Sequence, residues 1–88
     1  MPAVNQLENI FDFIAEENPA AAERTIRRIH QAIIATSRMP NSGRIGRVAG
    51  TREIIVTGTR YVVAYRVLGK TIQVLAVFHG AQKWPESF

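Results

Sequence analysis

The hydrophobic period of this chain changes once, and that change restricts what it can fold into. Up to about residue 38 the apolar residues recur at helical spacing, and from about residue 51 they alternate with a period of two. Between lies PNSGRIGRVAG, residues 40–50, which is a loop by composition, with three glycines, a proline, Asn and Ser. Helices followed by strands, in one run each, predict an α+β fold with the helices segregated to one side of an antiparallel sheet. The 88 residues form a single domain, 1–88.

Leu7, Ile10, Phe11 and Ile14 repeat at i, i+3, i+4, i+7, the stripe of an amphipathic helix. That helix must stop near Asn18-Pro19, because the residue before a proline is pushed out of the helical region. Asn18 then serves as N-cap and Pro19 as first residue of a second helix, which carries Ala22, Ile26, Ile29 and Ile33 on one stripe and ends at Met39-Pro40. So short a break predicts an antiparallel helical hairpin. Strands are predicted at about 51–57, 60–67 and 71–78. Their connections are too short for parallel crossovers, so the expected sheet is a three-stranded antiparallel meander.

Alternation sorts the strand residues into two faces. Ile54, Val56, Tyr61, Val63, Tyr65, Val67, Ile72, Val74, Ala76 and Phe78 form an almost wholly apolar set, expected to receive the helices. The opposite set is mixed: Glu53, Ile55, Thr57, Arg60, Val62, Ala64, Arg66, Thr71, Gln73, Leu75, Val77 and His79. An open face with an apolar middle and charged ends is expected to bind something. Tyr61 and Tyr65 read as core aromatics whose hydroxyls reach the rim.

Charge is divided as sharply as period. Residues 1–23 hold five acidic residues and no base, a net −5, whereas residues 24–88 hold all eleven bases against Glu53 and Glu86, a net +9. Nine of the eleven bases are Arg, which favours bidentate recognition of phosphate or carboxylate. The expected partner is anionic: nucleic acid or an acidic protein segment. With no cysteine, disulfides, cysteine zinc sites and thiol catalysis are excluded. No apolar run spans a bilayer and no signal-peptide pattern opens the chain, so a cytoplasmic protein without membrane contact is expected.

The ordered set Leu7-x-x-Ile10-x-x-Phe13-Ile14, Asn18-Pro19-x-Ala21-Ala22, Pro40-x-x-Gly43-Arg44, Gly50-Thr51-Arg52-Glu53, Tyr61-Val62-Val63-x-Tyr65-Arg66-Val67 and Val77-Phe78-His79-Gly80-Ala81-x-x-Trp84-Pro85 spans nearly the whole chain. It resembles the RelE/ParE superfamily of toxins from type II toxin–antitoxin systems. Members usually begin with a β-strand, and Met1–Asn5 is too short, and Pro2 too disruptive, to supply one. Either the sequence starts late or that place in the sheet is empty, leaving an edge open to another chain.

The resemblance implies one of two activities. RelE-like members are metal-independent, ribosome-dependent mRNA endoribonucleases; ParE-like members inhibit DNA gyrase and are neutralised by a cognate antitoxin. RelE-like enzymes place a catalytic Arg three residues before the Tyr of the second meander strand. Here that Tyr is Tyr65 and the matching position is Val62, which cannot stabilise a phosphorane. Arg60 keeps the same facing about 6.6–6.8 Å farther along a strand. The Lys-rich patch of the ribosome-dependent enzymes has no counterpart beyond Lys70 and Lys83. The ParE-like branch is therefore favoured.

A ribonuclease would rest on His79, Arg60 and Glu53 as its catalytic set, with ribosome and mRNA as partners; otherwise His79 simply caps the last strand. An inactive member that retains only antitoxin binding is a third reading. For the gyrase inhibitor, the surface expected to meet antitoxin or target comprises Arg44, Arg47, Arg60, Arg66, Ile55, Val62, Leu75, Val77 and Trp84. Gly43 and Gly46 would let a partner approach the backbone beside Arg44 and Arg47. The alternative is a solvated, flexible loop. Arg52 and Glu53 could equally form a cross-strand pair, and His30 is expected at the surface. No metal or cofactor is called for, and a homo-oligomer is compatible with the sequence.

Overall fold

A computed structural model describes residues 2–80, with side chains from Asn5 onward. Helices α1 (Pro2–Ala15) and α2 (Pro19–Arg38) form the hairpin that the spacing predicts. Asn18 is extended, and its Oδ1 accepts the Ala21 N–H at 3.1 Å, with Pro19 opening the helix behind it. A 3₁₀ turn at Pro40–Ser42 follows α2. Strands β1 (Arg44–Ile45), β2 (Arg52–Ile55), β3 (Tyr61–Leu68) and β4 (Thr71–His79) then make one antiparallel sheet in the order β1-β2-β3-β4.

The sheet has four strands rather than the expected three. The additional strand lies inside the segment read as loop, pairing Arg44 with Glu53 and Ile45 with Arg52. Two residues between glycines carry no periodic signal of their own; only pairing across to β2 makes them a strand. At the other side of the sheet, no strand precedes α1 among the described residues and β4 is the edge. That edge is not bare. The Val77 N–H donates to the Gln6 Oε1 of α1 at 2.8 Å, so a helix side chain takes a hydrogen bond that a neighbouring strand would otherwise accept.

One irregularity reassigns half of β4. On β3 the partners run Val63↔Val77 and Ala64↔Ala76, then jump to Tyr65↔Val74, leaving Leu75 unopposed. This β-bulge reverses the alternation beyond it, because one extra residue moves every later side chain to the other face. Ala76 and Phe78 therefore leave the helix-facing set, and Val77 and His79 join it. The preceding residues Ile72 and Val74 keep the facing that the alternation predicts, opposite Val67 and Tyr65.

The helix-side core is consequently built from Ile29, Val56, Val63 and Val77, with Leu7, Ile10, Ile26, Ile33, Ile54, Tyr61 and Val74 packed against them. Ile29 and Val63 are fully buried. Each such aliphatic side chain contributes roughly 1.5–3 kcal/mol on leaving water. The opposite face is closed at its centre, where Val62, Ala64, Ala76, Phe78 and Glu53 are all buried. It is a second small core instead of an open apolar middle. His30 is exposed, as expected. No helix is long and apolar enough to cross a membrane among the described residues.

Candidate functional site

The register of β1 sets Arg44 directly across from Glu53. Glu53 is only 2% exposed, and a carboxylate so buried requires partners for both oxygens. Its Oε1 accepts from Arg44 Nη2 at 2.9 Å and Nε at 3.2 Å, and its Oε2 accepts the Arg47 backbone N–H at 2.7 Å. The Arg47 guanidinium lies close as well, with Nε 3.7 Å from Oε1. Both arginine side chains stay about half exposed, at 50% and 46%, so each keeps donors facing solvent while Glu53 holds its base. The cross-strand reading of Glu53 is thus the right one, with Arg44 as the partner in place of Arg52.

The rest of the segment is held from beneath. Tyr65 is fully buried, and its hydroxyl donates to the Pro40 carbonyl at 2.7 Å while accepting the Gly43 N–H at 2.9 Å. Arg52 donates to the carbonyls of Gly43 at 2.7 Å and Asn41 at 3.3 Å. Gly46 N–H donates to the Thr51 carbonyl at 2.8 Å, and Thr51 Oγ1 donates to the Val48 carbonyl. The two glycines serve this packing: a Cβ on Gly43 would collide with the Tyr65 hydroxyl, and one on Gly46 with Thr51 Oγ1. They admit the protein's own side chains to the backbone. Residues 43–53 are therefore an internally bonded hairpin, and the flexible-loop alternative is set aside.

Beside this hairpin opens a cleft of about 430 Å³ lined by Arg44, Arg47, Ile55, Thr59, Arg60, Tyr61, Val62, His79 and Gly80. It collects residues from β1, the following turn, the end of β2, the β2–β3 turn, the start of β3 and the end of β4. The Gly80 N–H donates to the Arg60 carbonyl at 2.7 Å, which ties the last strand to that turn. Tyr61 and His79 meet edge to face, ring centroids 5.6 Å apart, as the Tyr61↔His79 pairing requires. Burial raises the Tyr61 phenol above its ordinary value of 10.0.

Of the residues expected at a partner surface, Arg44, Arg47, Arg60, Ile55 and Val62 meet at this cleft, and so does His79. Val62 contributes a largely buried wall. Val77 does not belong: the bulge turns it into the helix-side core. Leu75 sits at the bulge itself, and Arg66 stands farther along β3 opposite Gln73; neither lines the cleft. Trp84 lies outside the described residues. Nor does Glu53 line it; the carboxylate grouped with His79 and Arg60 is engaged in the arginine pairing below.

Thr59 and Tyr61 line the cleft without having been expected there. Arg28 of α2, whose guanidinium donates to the Thr57 carbonyl at 3.2 Å, was also missed as a brace for the β2–β3 turn. Tyr61, like Tyr65, gave a sequence signal, a polar tip on a core aromatic; Thr59 and Arg28 gave none. Among the described residues, no cluster of three or more His, Asp or Glu side chains is arranged to hold a metal ion.

Residues 1–84 match the family described as the ParE toxin of the type II toxin–antitoxin system parDE. The chain belongs to the ParE toxin family. A Sinorhizobium fredii (strain NBRC 101917 / NGR234) protein, named provisionally as toxin Y4kP, is 36% identical over 84 residues, covering 96% of this chain and 86% of that protein. The solved chromosomal ParDE toxin–antitoxin system from P. aeruginosa superposes with a TM-score of 0.79 at 25% identity, covering 89% of this chain and 87% of that one. The ParE fold, two helices followed by a four-stranded antiparallel sheet, is thus the architecture derived above. Membership also implies an antitoxin as partner.

Proposed function

We propose that this ParE family toxin acts in the cytoplasm by inhibiting DNA gyrase and is neutralised by its cognate antitoxin. The observation that carries the choice of gyrase over RNA is Val62. It is apolar and buried at the place where the RNA-cutting branch of the superfamily positions a catalytic arginine. A residue there cannot stabilise a pentacoordinate phosphate, a role that needs a fixed cation in contact with the reacting oxygens. Glu53 supports the same reading: its carboxylate oxygens accept from Arg44 and Arg47 and have no role left as a base at the cleft.

The alternative, mRNA cleavage, draws on one feature, the presence of Arg60 and His79 on the same cleft. Induction of the chain in cells separates the two. Trapped gyrase–DNA cleavage complexes with an SOS response, and intact mRNA by primer extension, are expected. Defined mRNA cuts that vanish in His79→Ala would replace gyrase by RNA as the target. Neither effect would leave a member that keeps only antitoxin binding.

A further inference from the structure

We infer that the arginine cleft recognises a peptide segment in which a carboxylate stands beside an apolar side chain, and that Glu53 is the residue that positions it. The inference rests on the reading above, since an antitoxin is the partner that would supply such a segment. Among the nine described residues that line the cleft none is acidic, and three are arginines. The Arg60 guanidinium has neither an ion pair nor a hydrogen bond among the described residues, although it stands at a cleft with two further guanidiniums. Glu53 offsets one of the three positive charges, and the excess that remains attracts a further anion.

The same cleft exposes Ile55, 56% accessible, next to the Val62 wall. An occupant must therefore satisfy guanidiniums and cover aliphatic surface within a few ångströms. Inorganic phosphate does the first and leaves Ile55 in water. A nucleotide binds chiefly by stacking its base, and the Tyr61–His79 edge-to-face contact already takes one ring face, whereas Ile55 offers exposed aliphatic surface. An acidic residue next to Leu or Phe does both.

Glu53 enters through geometry. By accepting Nε and Nη2 of Arg44 on one oxygen it fixes one edge of that guanidinium and leaves the remaining donors for a ligand. By accepting the Arg47 N–H on the other, it fixes the turn from which that side chain departs. Prepaid order of this kind lowers the entropy lost on binding.

The test is a ¹⁵N NMR titration of the full chain with acetyl-Leu-Asp-Phe-amide, its Asn counterpart, sodium phosphate and AMP. The acidic peptide is expected to shift the amides of Ile55, Arg60 and His79 and to bind at least fivefold more tightly than the Asn peptide. Arg44→Ala/Arg47→Ala should weaken it about tenfold and flatten its salt dependence. Glu53→Gln gives opposite signs for two accounts: charge alone raises affinity, because one negative charge is gone, whereas lost positioning weakens it and collapses the Asp/Asn ratio. A merely structural role would weaken both peptides equally. No shift with either peptide, or tighter binding of phosphate or AMP at the same amides, overturns the peptide site. An unchanged ratio in Glu53→Gln removes Glu53 alone. The toxin reading is judged separately, since a chain that traps gyrase in cells yet ignores the peptide loses only the cleft assignment.

Discussion

The helix-side core and the hairpin of residues 40–53 are stabilised by different physics. On the helix side, Ile29, Val56, Val63 and Val77 interlock with apolar residues of α1 and α2, and no charged group takes part. Within the hairpin, order comes from directed polar contacts: Glu53 with Arg44 and Arg47, Tyr65 with Pro40 and Gly43, and Arg52 with Asn41 and Gly43. A hydrophobic core responds to volume and hardly to ions, whereas a polar hub responds to the loss of single atoms and, where exposed, to salt. The helix-side core and the hairpin can therefore be perturbed separately.

That separation can be broken most forcefully at Ile29. Ile29→Ala should destabilise the chain by about 2–5 kcal/mol, read by urea unfolding, with the same loss at low and high salt. Tyr65→Phe comes next. It removes one hydroxyl from a buried site and leaves the Gly43 N–H unsatisfied, for a loss of about 1–3 kcal/mol and faster amide exchange through residues 40–46. If Tyr65→Phe left exchange in that segment unchanged, the hairpin would not depend on this pin.

Arg44→Ala is expected to cost about 1–3 kcal/mol at low salt, because the buried Glu53 loses both close donors to Oε1, and less as salt rises since the arginine is half exposed. An effect as large as that at Ile29 would erase the distinction between the two regions. Smallest is Tyr61→Phe. The folded chain holds the Tyr61 proton more tightly than the unfolded chain, so Tyr61 contributes stability below its ordinary value of 10.0 that is lost as the pH rises through its raised folded value. Replacement by Phe should leave neutral stability nearly unchanged and reduce the alkaline decline.

Much of the fold was legible because its signals are local. The stripe through Leu7, Ile10 and Ile14, the Asn18-Pro19 cap and the shift to alternation each depend on neighbours within a few residues. The candidate site was legible only in part. Arg44, Arg47, Arg60, Ile55 and Val62 do converge, but Val77 was assigned to the wrong face because a bulge has no signature in a run as uniformly apolar as Val74-Leu75-Ala76-Val77-Phe78. The packing of Tyr65 and Thr51 against Gly43 and Gly46 was hidden for a related reason, as a small residue does not reveal whose side chain it makes room for.

The amino-acid sequence alone determined the class of the molecule, the helix boundaries, the antiparallel meander and the division between an acidic stretch, residues 1–23, and a basic remainder. These follow from period, capping and charge, which are properties of short stretches. Tertiary structure decided the fourth strand, the phase of β4 beyond Leu75 and the gathering of three arginines beside a buried glutamate. Each depends on register between segments distant in the chain, and register is settled by the packing of the whole sheet rather than by any one strand.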